Sequence, residues 1–337
     1  LCLAMILPIV ACDSDVTVAP GKGNIADYGT VWSAPSTVKV AQKDAEYAPK
    51  GNAELIFNTV KNEYESHQLF ITAKTDVGSY YLESVDLRSG DNILSKDNIT
   101  VYMERYVTVA DVYGTYIHPD ALIPIDAALE AGELTIKGGD NAAFWITVHV
   151  PAETPAGVYE GTFKLSVENA AMDIPVRVTV NDYTLSDITN GRTLFSWRYD
   201  RVGAGELDSS VEMMETYYEF FLDYGISLQS LPLESQTHEE IVDALYKYYD
   251  ILTSYTIQNK PGEVPGGGTV AEQTKEMIYA VASISSPEKN YFDKAMLYVV
   301  DEPKLEEASS RTYVLSMIGH INKMLQECVD TIAADTT

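Results

Sequence analysis

The sequence predicts a multidomain fold in which an antiparallel β-sandwich is followed by an α/β unit. Residues 30–184 alternate apolar and polar side chains with a period of two, which is typical of half-buried strands. Residues 192–337 instead alternate short apolar runs with segments whose apolar residues lie three and four apart, as in helices. Repeated strand-helix units imply a parallel sheet, and the four units here are half of a (β/α)8 TIM-type barrel.

The N-terminal 12 residues resemble a bacterial lipoprotein signal. An uncharged apolar run leads to Ala11 and Cys12, and in such signals the cysteine is lipidated and becomes the first mature residue. No Met or basic segment precedes the run, so we expect the sequence to begin inside the signal. Residues 13–29 have the polar composition of a tether. We expect a bacterial envelope protein, lipid-anchored outside the cytoplasmic membrane; a plain secretory signal is the alternative.

About eight strands and no helix are expected in the sandwich, residues 30–184. The alternation is clearest at Phe144, Ile146, Val148 and Val150. In the α/β unit, the expected strands are residues 193–197, 227–233, 252–257 and 295–300. The expected helices centre on residues 214–221, 241–248, 270–281 and 314–325, and three of them are preceded by capping boxes, Ser209 with Glu212, Thr237 with Glu240, and Thr269 with Glu272.

The composition limits the kinds of partner. With a formal net charge of -27 and no basic cluster, the chain would repel a phosphate backbone, so we expect no nucleic-acid partner. The three cysteines and five histidines are scattered, without metal-ligand spacing. The sequence therefore predicts no metal site and no cofactor.

The strongest chemical signal is the run AMLYVVDEP, residues 295–303. Its apolar part predicts a strand buried on both faces in a central parallel position, and Asp301 and Glu302 follow at the C-terminal end. Active sites of α/β barrels form at that end of the strands, so the pair is a candidate acid/base apparatus. The alternative is that Asp-Glu-Pro simply caps the next helix.

Several segments, in their order and spacing, resemble glycoside hydrolase family 123. They are WSAPSTVKV from Trp32, KNEYESHQ from Lys61, PDAL from Pro119, VPAETPAGVYEG from Val150 and YVVDEP from Tyr298. The resemblance implies an N-terminal β-sandwich, a catalytic (β/α)8 barrel, and removal of terminal β-linked N-acetylgalactosamine from glycans or glycolipids.

The resemblance also implies the catalytic roles. The 2-acetamido oxygen of the substrate would attack the anomeric carbon, Asp301 would orient the acetamido N–H, and Glu302 would protonate the leaving oxygen. Residues 192–337 fall short of the about 250 residues of a complete barrel. We therefore expect the second half of the barrel, and part of the sugar pocket, to be missing; a small four-stranded α/β domain is the alternative.

Two further residues are candidates for substrate binding. Trp197 and Asp200 fall at or just past the end of the first barrel strand, and an indole ring can stack on the apolar face of a sugar. Core packing is the alternative for Trp197. A local ion pair with Arg198 or Arg201 is the alternative for Asp200.

Two other functions remain open beside the predicted glycosidase. One is a non-catalytic glycan-binding surface lipoprotein, and the other is a glycosidase of the same architecture that acts on another sugar. The pairing of Asp301 with Glu302 favours an enzyme, because a binding protein needs neither carboxylate.

Lipidation gives the first testable prediction. Mass spectrometry of the protein expressed from its complete gene should show an acylated N-terminal cysteine at Cys12. An unmodified product that begins at another residue would contradict the lipoprotein assignment.

Overall fold

The computed structural model describes residues 23–43, 53–112, 114–186, 191–258, 270–297, 304 and 306–335. Cys12, Asp301 and Glu302 lie outside these ranges. The chain divides into two compact units, Leu1–Ser186 and Asp187–Thr337. Within the described ranges, no helix combines the length and the apolarity that crossing a bilayer requires.

The first unit contains two β-sheets. Its strands are β1 (Gly29–Pro35), β2 (Leu55–Lys61), β3 (Glu63–Ala73), β4 (Tyr80–Glu83), β5 (Leu87–Ser89), β6 (Asn92–Leu94), β7 (Ile99–Asp111), β8 (Gly114–Pro124), β9 (Asn141–Val150), β10 (Gly157–Val167) and β11 (Ala170–Thr184). One sheet has the order β1-β3-β9-β7-β8. The other has the order β2-β11-β10-β5-β6, with β4 also paired to β10.

The two sheets share one hydrophobic core. In β9, Phe144, Ile146 and Val148 are fully buried and alternate with partly exposed residues, as the period of two predicts. The ring of Phe144 meets that of Tyr80 from the other sheet edge-on, with 5.3 Å between centroids. The predicted strand pattern is therefore confirmed in β9, and the unit is a two-layered β-structure.

Three details differ from the sequence prediction. There are eleven described strands rather than about eight, and β2 pairs with β11 in parallel. Two short helices are present, α1 (Ile25–Tyr28) and α2 (Ile125–Glu130). Helix α1 begins inside the predicted tether, because Asn24 caps it by accepting a hydrogen bond from Ala26 N at 3.0 Å. In α2, Ile125 and Ala128 bury one side of a segment too short to show a helical period.

Residues 36–43 cover part of the outer face of the first sheet. Trp32 and Phe70 stack there with 4.3 Å between ring centroids, and Val40 is fully buried beside them. The cross-strand row continues from Phe70 through Ala143 to Glu104 in β7. Met103 belongs to the shared core, so Glu104, the next residue of the strand, lies on the outer face. Glu104 is nevertheless only 6% exposed. The outer face thus holds a buried carboxyl group.

The second unit alternates helices with extended segments. Its elements are α3 (Tyr199–Glu206), α4 (Val211–Asp223), α5 (His238–Tyr248), β12 (Tyr255–Gln258), α6 (Val270–Ile284), β13 (Ala295–Leu297) and α7 (Ala308–Asp335). The four predicted helices are confirmed as α4, α5, α6 and α7. Helix α3 was not predicted, because its two glycines, Gly203 and Gly205, lower helix propensity and blur the apolar stripe.

The predicted helix caps have three different outcomes. The capping box of Thr237 and Glu240 at α5 is confirmed in both directions. The box at Ser209 is wrong by one residue, because Ser210 caps α4 by accepting from Met213 N at 3.2 Å. Asp208 in turn accepts from Ser210 N at 2.9 Å, which fixes that register. Thr269 lies outside the described residues.

The predicted strand at residues 295–300 is confirmed only in part. Its described portion, β13, pairs in parallel with β12. It is not buried on both faces, because Met296 and Leu297 are 38% and 37% exposed. The physical reason is that, within the described residues, β13 has a strand neighbour on one side only. Closure of these segments into a TIM-type barrel stays a prediction.

The buried Glu104 gives a prediction for stability. Burial raises the pKa of this carboxyl from an unfolded value near 4.5 to about 7. Between these pH values the folded state keeps a proton that the unfolded state has released, so stability falls as pH rises through the window. Glu104→Gln should remove this loss, which is up to about 3 kcal/mol. Urea denaturation at pH 4 and pH 8 should show the variant more stable than the wild type only at pH 8.

The matched control is Glu160→Gln. Glu160 is exposed and pairs with Arg177 at 3.0 Å, so its loss should change the free energy of unfolding by less than about 1 kcal/mol. A Glu104→Gln protein less stable than the wild type at pH 8 would contradict the burial argument.

Candidate active site

Four extended segments of the second unit run in the same direction. In chain order they are residues 193–195, 227–229, 253–258 (which include β12) and 295–297 (β13). Phe195 forms a parallel bridge with Leu228, and β12 pairs in parallel with β13. The middle two segments are joined at Ser227 with Thr253 and again further along, where Thr256 N donates to Gln229 O at 3.1 Å. From the first contact to the second, the residue number rises in both segments, from 227 to 229 and from 253 to 256, so these two segments are parallel as well. The C-terminal ends of all four segments therefore point to one edge.

The opposite, N-terminal edge is held together by hydroxyl groups. Thr193 N donates to Thr253 Oγ1 at 2.9 Å, Thr253 N donates to Ser227 Oγ at 2.7 Å, and Ser227 N donates to Thr193 Oγ1 at 2.7 Å. Ser254 Oγ adds a short hydrogen bond to Thr193 O. The polar atoms of these residues are hydrogen-bonded to one another, so this edge has a structural role. In α/β barrels, too, residues at this face serve stability.

Two of the residues predicted to be functional follow β13 in the sequence. Strand β13 ends its described course at Leu297, and Asp301 and Glu302 come four and five residues later. Both carboxylates lie outside the described residues, and their predicted catalytic roles stay predictions.

Trp197 follows the first extended segment and packs against α4. Its ring lies 4.7 Å from that of Phe221, edge-on, and 5.8 Å from that of Tyr217, stacked. Only part of the indole is exposed, and it packs on the core of the second unit. Its Nε1 is buried and has no hydrogen-bond partner within the described ranges. The indole therefore has a packing role here, and contact with a sugar stays a prediction.

Asp200 lies in the first turn of α3 and forms an ion pair with Arg198. The carboxylate accepts from Arg198 Nε at 3.0 Å and from Nη2 at 2.7 Å, and both side chains are more than half exposed. The hydrogen bonds from Arg198 lower the pKa of Asp200. This is the local ion pair that the sequence offered as the alternative to substrate binding.

Two polar groups that the sequence did not single out lie on or next to these segments. Thr256 Oγ1 in β12 is buried and has no partner among the described residues. The Tyr199 hydroxyl donates to Ser230 O at 3.1 Å, just past the second segment, and burial raises the pKa of this phenol. The signal in the sequence was weak, because Thr and Tyr are ordinary strand and core residues.

The described residues contain no group of three or more His, Cys, Asp or Glu side chains that could hold a metal ion. Trp197 Nε1 and Thr256 Oγ1 are buried without a hydrogen-bond partner in the described part of the chain, and the Tyr199 hydroxyl is bonded to Ser230 O.

Comparison with known proteins gives a family match within the first unit. Residues 39–167 match the family model described as the glycoside hydrolase 123 N-terminal domain. The resemblance to glycoside hydrolase family 123 that was predicted from the sequence is thereby confirmed. No curated protein matches the chain.

A solved structure extends the likeness beyond the glycoside hydrolase 123 N-terminal domain. A family 123 glycoside hydrolase from Clostridium perfringens superposes with a TM-score of 0.62 at 12% identity, over 87% of this chain and 62% of that enzyme. At that identity the match shows a shared fold. This chain spans less than two thirds of the enzyme's length.

Two other solved structures give much weaker matches. A protein of unknown function from Porphyromonas gingivalis has a TM-score of 0.20 at 12% identity, over 43% of this chain and 55% of that one. The Salmonella SafD adhesin has a TM-score of 0.22 at 13% identity, over 45% and 98%. Neither TM-score is high enough to indicate a fold shared with this protein.

The hydroxyl network yields a prediction about the scaffold of the candidate site. Thr253→Val should destabilise the second unit by about 1–3 kcal/mol, because the buried Thr193 N–H loses its acceptor. The control is Thr312→Val, since the Thr312 hydroxyl bonds only its own helix at Ala308 O. Hydrogen exchange should quicken at Thr193 in the first variant and stay at the wild-type rate in the second. Equal exchange rates in both would contradict the structural role of the network.

Proposed function

We propose that this chain belongs to a glycosidase that removes terminal β-linked N-acetylgalactosamine from glycans or glycolipids. The observation that carries the proposal is the match of residues 39–167 to the glycoside hydrolase 123 N-terminal domain, on a chain whose β13 leads into Asp301 and Glu302. The Clostridium perfringens structure comes from work on glycolipid glycan hydrolysis, which supports this substrate class.

The proposed architecture is a sandwich followed by a (β/α)8 barrel. The parallel direction of the four extended segments supports it, as does the fold shared with the longer enzyme. In such a barrel Asp301 and Glu302 stand at the C-terminal face, where strands deliver catalytic groups. Further strands of the complete protein would supply the rest of the sugar pocket.

The proposed reaction is retaining and uses the substrate as nucleophile. The 2-acetamido oxygen forms a bond to the anomeric carbon while the bond to the leaving oxygen breaks, and Glu302 gives that oxygen a proton. Asp301 accepts a hydrogen bond from the acetamido N–H and stabilises the positive charge that develops there. Water then attacks the anomeric carbon while its bond to the acetamido oxygen breaks, which regenerates the acetamido group, and Glu302 removes the proton of the attacking water. Each step inverts the anomeric carbon, so the two steps together restore the β configuration.

Neighbouring carboxylates suit this division of roles. Two adjacent anionic groups raise each other's pKa, and an acid catalyst needs a pKa near the working pH. The substrate-supplied nucleophile leaves no need for a second carboxylate at the distance found in ordinary retaining glycosidases.

The proposed location is the bacterial envelope, with Cys12 as the lipid-bearing residue and residues 13–22 as spacer. An enzyme held outside the cytoplasmic membrane would meet glycans before they are imported. A glycan-binding lipoprotein without catalysis is the second candidate function, and the following experiment separates the two.

The test uses the protein expressed from its complete gene. Glu302→Gln should lower kcat/KM for a phenyl β-N-acetylgalactosaminide by about 10²- to 10⁴-fold, the contribution of a positioned proton donor. The loss should be smaller for a dinitrophenyl leaving group, which departs without a proton. Asp301→Asn should slow both substrates, because the acetamido group takes part in the departure of either leaving group.

The matched control is Glu306→Gln, an exposed carboxylate four residues beyond the pair. It should keep the wild-type rates. If Glu302→Gln and Asp301→Asn also keep them while the fold is intact, Asp-Glu-Pro is a helix cap and the glycan-binding function becomes the better one.

A further inference from the structure

A cavity opens at the outer edge of the first sheet of the glycoside hydrolase 123 N-terminal domain. Strand β7 pairs with β9 only as far as Glu104 and Ala143, and beyond that pair it continues with β8 alone. The register of β7 shifts between Arg105 and Tyr106, and such bulges redirect side chains. The resulting gap is a cavity of about 460 Å³, within the range of small-molecule sites.

Glu104 lines this cavity, and its carboxyl group is incompletely hydrogen-bonded within the described residues. The residue is 6% exposed, and its Oε1 is buried with no hydrogen-bond partner in the described part of the chain. A buried carboxylate without a partner is costly, so native structures pair such groups with a cation or with donors. Burial raises the pKa of Glu104 to about 7.

The basic side chains at the cavity wall are already engaged. Arg105 holds Glu133 through Nε at 3.0 Å and Nη2 at 2.6 Å. Lys137 Nζ lies 2.9 Å from Asp76. Neither cation is therefore available to an incoming anion, and neither reaches Glu104.

A second carboxylate at the cavity has only a distant cation. The Asp140 side chain is 13% exposed, and its ion pair is with Lys43 Nζ at 3.9 Å, a side chain that is itself 75% exposed. Two poorly compensated carboxylates thus face one cavity whose basic residues are occupied. Tyr80 and Tyr106 also line it, and aromatic rings are favourable neighbours for cations.

We propose that this cavity binds a small organic cation, through an ammonium group that pairs with Glu104 and lies near Asp140. The site is separate from the proposed glycosidase chemistry, and it does not depend on that function. A hydroxyl-rich neutral ligand would satisfy Glu104 with one hydrogen bond but would leave the excess of negative charge uncompensated.

The test measures binding to the intact chain by isothermal titration calorimetry. The probes are n-butylammonium and 1,4-butanediammonium, with n-butanol as the neutral analogue of the first, and calcium chloride as the inorganic cation. At pH 8 the two ammonium probes should bind and butanol and calcium should not. Glu104→Gln should weaken ammonium binding at least about tenfold, because it removes one charge of a buried pair without changing shape.

Two further variants complete the design. Asp140→Asn should also weaken binding, and it covers the case in which Glu104→Gln fails to fold. Glu160→Gln, in an exposed ion pair on the other sheet, should bind like the wild type. Absence of binding by both ammonium probes would overturn the proposal. So would equal binding of butanol, tighter binding of calcium, or undiminished binding by the Glu104 and Asp140 variants.

Discussion

The candidate active site depends on the parallel alignment of four extended segments. Parallel strands present all their C-terminal ends at one edge, so a residue that follows one strand approaches residues that follow the others. The hydroxyl groups of Thr193, Ser227 and Thr253 fix this alignment from the opposite edge. The hydroxyl groups of that edge are thus bonded to one another, whereas Trp197 Nε1 and Thr256 Oγ1 are buried without a partner among the residues that the structure describes.

Much of the fold could be predicted because local patterns agreed with burial. The alternation in β9 and the capping box at Thr237 both follow from rules that involve only a few neighbouring residues. The cap of α4 was missed by one residue, since Ser209 and Ser210 are equally good capping residues and the choice depends on Asp208. Helix α3 was missed because Gly203 and Gly205 lower its helix propensity and its short sequence shows no apolar stripe.

The site residues show a different limit of sequence reasoning. A motif indicates which residues carry chemistry, but their neighbours are set by the fold. Trp197 proves to pack on Phe221, and Asp200 proves to pair with Arg198, as the alternatives to their functional assignments required. Glu104 gave no signal at all, because a glutamate in an alternating strand is expected to face solvent. It lies across from Ala143, on the face where Trp32, Phe70 and Val40 are buried.

The most direct test of the central claim is proton NMR of the sugar released by the protein from its complete gene. The substrates are a matched pair, an aryl β-N-acetylgalactosaminide and the corresponding β-galactoside, which has a hydroxyl in place of the acetamido group. If the substrate's own acetamido group is the nucleophile, the first sugar released is the β anomer and the galactoside is not cleaved. Initial release of the α anomer, or comparable cleavage of both substrates, would contradict the account.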